Sequence, residues 1–263
     1  MRDRVVVVTG ASSGIGAAIA RAAARRGARS VALLARSAGA LDAVAAEVRA
    51  AGAQALALPV DLADAEAAGE ACRVVERELG SPDVLVNNAG AGRWLFVTET
   101  AADEAVQMMA APYFAAFFTT RAFLPGMLAR ASGRIAFVTS PAAYAPWPGA
   151  TGYAAARWAM RGFAEALRSD LHGSGVGVTL FTAGKVDSPY FVHNPGAEER
   201  LPGIARIYRT LTPEEAALAL VRAVERGAGE VVTPSLLRWT MRLQRIWPGA
   251  VAWLVTRTGA RLP

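Results

Sequence analysis

The chain has 263 residues, of which 53% are hydrophobic and 19% charged, with a formal net charge of +6. That composition excludes a disordered chain, and the length suits one α/β domain with its own core. A single cysteine, Cys72, excludes an intrachain disulfide, and neither His172 nor His193 stands at a metal-ligand spacing, so no metal site is expected.

At the amino terminus MRDR runs straight into VVVVTG. This short apolar run closed by glycine reads as a strand over 4–9 rather than as a leader or a membrane span, and a cytoplasmic protein is expected. A helix over 15–26 follows, then a strand over 30–35, a helix over 38–50, a strand over 55–60, a helix over 63–79 and a strand over 83–87. Cys72 falls within the third helix and reads as a buried, inert thiol. A long helical stretch over 99–130, broken once, leads to a strand over 134–139. A helix over 152–172, a strand over 177–181, a helix over 213–226 and a strand over 230–232 complete the pattern. The helix at 213 has a defined start, with Thr212 as cap, Pro213 in the first turn and Glu215 closing a capping box. Continuous apolar runs such as VVVV and VLV suit parallel strands buried on both faces. Their alternation with helices predicts an α/β fold, a doubly wound parallel sheet of Rossmann type, with ligands at the carboxyl ends of the strands. This domain is expected over 1–235, followed by a basic, Trp-rich extension over 236–263.

The first strand ends in Thr9-Gly10-Ala11-Ser12-Ser13-Gly14-Ile15-Gly16, and a helix begins at once. Gly10 permits a tight turn, Gly14 lets backbone approach a pyrophosphate, and Gly16 lets helix and strand pack closely. The unpaired N–H groups and positive end of the helix can then hold phosphates. A strand before and a helix after are the context such a loop requires.

The TGxxxGxG spacing resembles that of the short-chain dehydrogenase/reductase family. Further resemblances run from residue 4 to about residue 235. Asp61-Leu62 is similar to the family's adenine contact. Asn87-Asn88-Ala89-Gly90 resembles its NNAG motif, with Asn88, Ala89 and Gly90 lining the cofactor. Ser140, with Tyr153 thirteen residues later, resembles its catalytic Ser and Tyr. The resemblance implies a nicotinamide dinucleotide held by Gly10, Ser12, Ser13, Gly14, Ile15 and Gly16. Which dinucleotide is read after the second strand, where a carboxylate would bond a ribose 2′-OH and repel a 2′-phosphate. Ala35-Arg36-Ser37 has no acid there, and Arg36 offers a planar fork for a phosphate. NADP(H) is therefore expected over NAD(H), the other reading being a solvated arginine.

In the family, a tyrosine exchanges a proton with the substrate oxygen while hydride moves to or from the nicotinamide. A serine bonds that oxygen, and a lysine four residues after the tyrosine binds the nicotinamide ribose and lowers the tyrosine's pKa. An asparagine in the preceding long helix holds a relay water. Here Tyr153 and Ser140 are present, but the lysine position is Arg157 and the asparagine position aligns with Pro112. Spacing i, i+4 places Arg157 on the Tyr153 face of the helix. It can supply charge and bond ribose hydroxyls, but it does not release its proton. Lys185 is the only lysine among 28 basic residues, so lysine is not forbidden to this chain. Pro112 either bends its helix and frees a carbonyl to hold a water, or only starts or bends it. After the sixth strand, Val186 and Ser188 are implied to take the cofactor's carboxamide, and Lys185 reads as an exposed loop residue.

Trp94, Tyr144, Trp147, Tyr190 and Phe191 follow strands four to six and are expected to line an apolar substrate pocket. Residues 187–210 are expected to form a mobile lid. The final segment mixes Arg238, Arg242, Arg245, Arg257 and Arg261 with Trp239, Trp247 and Trp253. It reads first as packing onto the domain or a subunit partner, and second as an amphipathic tail that touches anionic membrane or covers a lipid-like substrate. Elsewhere the basic residues are scattered, so no nucleic-acid partner is expected. The resemblance implies a homodimer or homotetramer paired through the helices of 99–130 and 152–172. The leading functional expectation is an NADP(H)-dependent oxidoreductase that interconverts an alcohol and a carbonyl on an apolar or aromatic substrate. Arg157 and Pro112 leave open a non-redox enzyme (cyclase, isomerase or lyase) and a cofactor-binding protein without catalysis.

Overall fold

The computed structural model describes residues 1–90 and 92–262. Ala91, inside the domain expected over 1–235, and Pro263, the last residue of the expected extension, lie outside the described residues.

Seven strands, β1 (Val5–Thr9), β2 (Ser30–Ala35), β3 (Gln54–Pro59), β4 (Val84–Asn87), β5 (Gly133–Thr139), β6 (Val176–Ala183) and β7 (Glu230–Thr233), form one sheet in the order β3-β2-β1-β4-β5-β6-β7. Every pairing is parallel. The helices are α1 (Gly14–Arg25), α2 (Ala38–Ala50), α3 (Ala65–Leu79), α4 (Ala102–Met109), α5 (Ala115–Ala129), α6 (Thr151–Asp170), α7 (Tyr190–His193), α8 (Pro213–Glu225), α9 (Ser235–Ile246) and α10 (Pro248–Thr258). The side-chain period of two splits β1 between two cores. Val6 and Val8 pack with α1, α2 and α8, whereas Val5 and Val7 face α3, α5 and α6. The doubly wound sheet expected from the sequence is therefore observed, with both faces covered.

The local chemistry explains where the helices differ from expectation. Helix α3 starts at Ala65 rather than at 63, because the Asp64 carboxylate caps it by accepting from the N–H groups of Glu66 (2.8 Å) and Ala67 (3.0 Å). Helix α8 starts as expected, with the Glu215 N–H donating to Thr212 Oγ1 at 3.1 Å and the Thr212 N–H donating to Glu215 Oε2 at 3.0 Å. The broken helix of 99–130 is a one-turn 3-10 segment (Val97–Glu99), then α4, a π-helical turn (Ala110–Phe114) holding Pro112, and α5. Proline cannot donate to the ladder, and the π-turn takes up the lost bond with one extra residue. The backbone passes from helix to helix, and the Ala115 N–H donates to the Ala110 carbonyl. Cys72 lies on the buried face of α3, and burial pushes its thiol up to about 12.

The order in which the chain adds strands reverses at β1, which has β2 on one side and β4 on the other. The helices that follow β1 and β4 therefore cover opposite faces of the sheet, and a crevice opens between them at the carboxyl edge.

Candidate active site

One cleft of about 1360 Å³ runs along this edge. Single small-ligand pockets span roughly 300–1,000 Å³, so this one has room for more than one small molecule. It gathers the residues expected to hold a dinucleotide, from Gly10, Ser12–Gly16 and Arg36 through Asp61, Leu62 and Asn88–Gly90 to Val186 and Ser188, together with Ser140, Tyr153 and Arg157.

At the β1 end of the cleft the backbone itself makes a cradle. Gly10 and Gly14 have φ of +65° and +53°, in the left-handed region that side chains disfavour. A Cβ on Gly16 would lie 2.1 Å from the Gly10 carbonyl oxygen and 2.6 Å from Asn88 Nδ2, so only glycine lets α1 come this close. Ser13 precedes α1 without a side-chain cap, and no acid stands in the first turn. The first N–H groups of the helix thus remain available to an anion.

Thr9, which the sequence reading did not single out, joins the two loops. Its hydroxyl donates to the Val86 carbonyl (3.3 Å) and accepts from the N–H groups of Asn88 (3.0 Å) and Ala89 (2.9 Å). Asn88 Nδ2 returns two bonds, to the carbonyls of Thr9 (3.0 Å) and Gly10 (3.2 Å). Asn87 points into the core instead, donating to Thr120 Oγ1 at 3.0 Å and accepting from Thr119 Oγ1 at 2.8 Å, which ties β4 to α5. After β2, Arg36 is exposed, lines the cleft and has no carboxylate partner among the described residues.

At the opposite end, Ser140 Oγ accepts from the Ala142 N–H at 3.3 Å, which leaves its proton free to donate into the cleft. Tyr153 and Arg157 sit one turn apart on α6 and are both buried. The Arg157 guanidinium carbon lies 4.9 Å from the Tyr153 ring centroid, and a Cβ on Gly90 would fall 2.7 Å from Arg157 Nη2. Nη1 donates to the Val138 carbonyl at 3.5 Å, while the buried Nε has no partner among the described residues. A buried cation without a carboxylate is costly unless other acceptors meet its donors. These spare donors fit the hydroxyl-rich ribose of a nicotinamide nucleotide, and the glycine cradle fits its pyrophosphate.

Beyond Tyr153 the wall is aromatic. Trp94 stands 5.6 Å from Tyr153, 5.9 Å from Trp147 and 6.2 Å from Phe191, centroid to centroid. Trp94 Nε1 donates to Tyr190 Oη (2.9 Å), which donates to the Gly92 carbonyl (2.8 Å). Burial, then the neighbouring Tyr153, pushes the Tyr190 phenol well above its ordinary range and keeps it protonated. Tyr144 is a correction. It is fully buried behind the cleft, its hydroxyl donating to Glu230 Oε1 at 2.9 Å and lying 3.2 Å from Thr182 Oγ1, with the Arg161 guanidinium over its ring. The segment of 187–210 is held by Arg200, which pairs with both Glu99 oxygens (2.6 and 2.9 Å), and by an ion pair of Lys185 with Glu198. Lys185 is thus partnered rather than free in its loop. Helices α9 and α10 also reach the cleft, through Leu237, Met241, Val251 and Val255. The signal for the first two was the i, i+4 spacing of Leu237 and Met241, which sets both on one helix face.

Comparison with known proteins agrees with this geometry. The family model for short chain dehydrogenases matches residues 4–198. The chain is 35% identical over 236 residues to the "Probable oxidoreductase EphD" of Mycobacterium tuberculosis, with 85% of this chain covered but only 40% of that protein, so it spans about two-fifths of that relative's length. It is 36% identical over 194 residues to the 1-deoxy-11-beta-hydroxypentalenate dehydrogenase of Streptomyces exfoliatus, covering 72% of this chain and 70% of that one. Among solved structures, an alcohol dehydrogenase from the archaeon Thermococcus sibiricus, complexed with 5-hydroxy-NADP, superposes with a TM-score of 0.76 at 29% identity, covering 88% of this chain and 95% of that one. A metagenomic short-chain oxidoreductase in complex with NADP does so at 0.75 and 31%, covering 89% and 97%.

Proposed function

The chain belongs to the short-chain dehydrogenase family, and from that premise we propose that it is an oxidoreductase that uses NADP(H) to interconvert an alcohol and a carbonyl on an apolar or aromatic substrate. One observation carries the reading: a single cleft holds the glycine cradle and Arg36 at one end and Ser140, Tyr153 and Arg157 at the other. That solved relatives hold NADP supports the choice of nucleotide, as does Arg36 where a carboxylate would repel a 2′-phosphate.

Gly10, Gly14 and the start of α1 would hold the pyrophosphate, Arg36 the 2′-phosphate, and Arg157 the nicotinamide ribose. When bound, the nicotinamide gives or takes the hydride. The Ser140 hydroxyl, its oxygen already engaged by Ala142, donates to the substrate oxygen and orients it. The Tyr153 hydroxyl gives or takes the proton at that same oxygen. Arg157 supplies positive charge beside the tyrosine ring and stabilises negative charge on its oxygen as the proton leaves. Since arginine keeps its proton, the proton exchanged at Tyr153 passes to water and not through residue 157. Trp94, Trp147 and Phe191 exclude solvent and select an apolar substrate. Two copies pair through α5 and α6, where Phe117 and Trp158, with Phe114 just before α5, leave apolar surface exposed.

NADPH oxidation followed against apolar aldehydes and ketones tests the proposal. Tyr153→Phe should lower turnover by about 10²-fold or more, the usual worth of a positioned acid, with NADPH affinity unchanged. A Tyr153→Phe variant with wild-type turnover would overturn the assignment.

A further inference from the structure

Helix α9 carries three distinct stripes. Leu237 and Met241 face the core. Leu236, Trp239, Leu243, Ile246 and the following Trp247 are all exposed, and at 3.6 residues per turn they fall within an arc of about 100°. Arg238, Arg242 and Arg245 occupy the arc between these two faces. On α10, Trp253 is also exposed, with the Arg257 guanidinium 5.3 Å from its ring, just as Arg242 lies 4.8 Å from the ring of Trp239. Trp239, Trp247 and Trp253 each leave more than three-fifths of their surface in water. Residues 235–263 hold five arginines and no aspartate or glutamate. Arg245 is neutralised by Glu230, but Arg242 and Arg257 have no carboxylate partner among the described residues.

We infer that α9 and α10 dock this protein onto an anionic lipid bilayer. The apolar stripe would sit at the headgroup level, with the tryptophans as interfacial anchors and the stacked arginines directed at lipid phosphates. Charge decides against a second copy as the occupant. A two-fold interface sets the same patch against itself, which here would oppose arginine to arginine with no acid in the segment to relieve it. No helix among the described residues is long and apolar enough to cross a membrane, so the contact is peripheral. The docking surface is also continuous with the cleft: Leu243 and Ala250 both line the cleft and are exposed. An apolar molecule dissolved in the bilayer would therefore meet the rim of the cleft at the membrane.

Docking needs neither bound nucleotide nor turnover, so its test is separate from that of the redox reading. Full-length protein is mixed with vesicles of phosphatidylcholine alone, or of phosphatidylcholine with phosphatidylglycerol, and sedimented. The expected result is binding to the anionic vesicles, a blue shift of tryptophan emission, and release by salt. Arg242→Gln with Arg257→Gln should weaken binding by about tenfold or more, and Trp239→Ser with Trp247→Ser should abolish the blue shift. None of these four residues lines the cleft, and melting curves verify that the variants fold. If a pair fails to fold, the lipid comparison and the salt titration on the unaltered chain still decide. Equal sedimentation with both vesicle types, or none with either, would overturn the inference. So would self-association of the chain through this face, abolished by Trp239→Ser, in protein that ignores lipid.

Discussion

Gly16→Ala adds one methyl group where neighbouring backbone leaves no room for it. The new Cβ would stand 2.1 Å from the Gly10 carbonyl oxygen and 2.6 Å from Asn88 Nδ2, so backbone at the end of β1 must move by roughly 1 Å to restore ordinary contact. Overpacking of this kind costs about 1–3 kcal/mol. Moving Asn88 also weakens its two bonds to Thr9 and Gly10, each worth about 1 kcal/mol. Against this, alanine returns about 1 kcal/mol of helix propensity in α1. The net loss is about 2–4 kcal/mol, which for a chain of this size lowers the melting temperature by about 4–16 °C. The displaced groups belong to the proposed phosphate cradle, so NADPH affinity should fall with stability. Gly39→Ala is the control: it lies in the first turn of α2 with nothing within 4 Å, and it should raise the melting temperature by a few degrees. Thermal melts and fluorescence titration with NADPH measure both effects. A Gly16→Ala protein that melts and binds NADPH like the parent would refute the close-approach argument.

Thr212→Ala removes the cap of α8 and should cost about 1 kcal/mol, a fall of about 2–4 °C by calorimetry. Bonding to Arg200, and then to the Phe96 N–H, holds the Glu99 carboxyl down at about 2, from 4.5. A carboxyl with a depressed pKa stabilises the fold above the unfolded value and loses that contribution as pH falls through the folded one. The melting-temperature difference between the parent and Glu99→Gln should therefore be full above pH 4.5 and should close toward pH 2. A difference that is constant across this range would show that the pair contributes nothing pH-dependent.

The central strands β1, β2 and β4 were legible because each is a nearly continuous apolar run, buried on both faces of a parallel sheet. The glycine-rich turn after β1 was legible because Gly10 and Gly16 meet backbone, a constraint that one residue type satisfies. Asn88 was legible as part of its motif, but its partner Thr9 was not. A threonine ending a strand looks like any other until the second loop is brought beside it, nearly eighty residues away in sequence. Tyr144 was misplaced for a similar reason. It follows β5 as a pocket residue would, but Glu230, far along the chain, draws its hydroxyl to the other side. Pro112 promised a break, and the π-turn absorbed it by carrying the helix past the missing N–H with one extra residue. In the final segment the mixture of tryptophan and arginine was plain, but composition does not say which stripe faces the cleft.

Titration with NADPH and with NADH, followed by nicotinamide fluorescence, decides whether the cleft selects NADP(H) as proposed. A charge-assisted phosphate contact is worth about 1.5–3 kcal/mol, so NADPH should bind at least about tenfold more tightly than NADH, and Arg36→Ala should erase the difference. Binding of neither nucleotide, or tighter binding of NADH, would contradict the proposal.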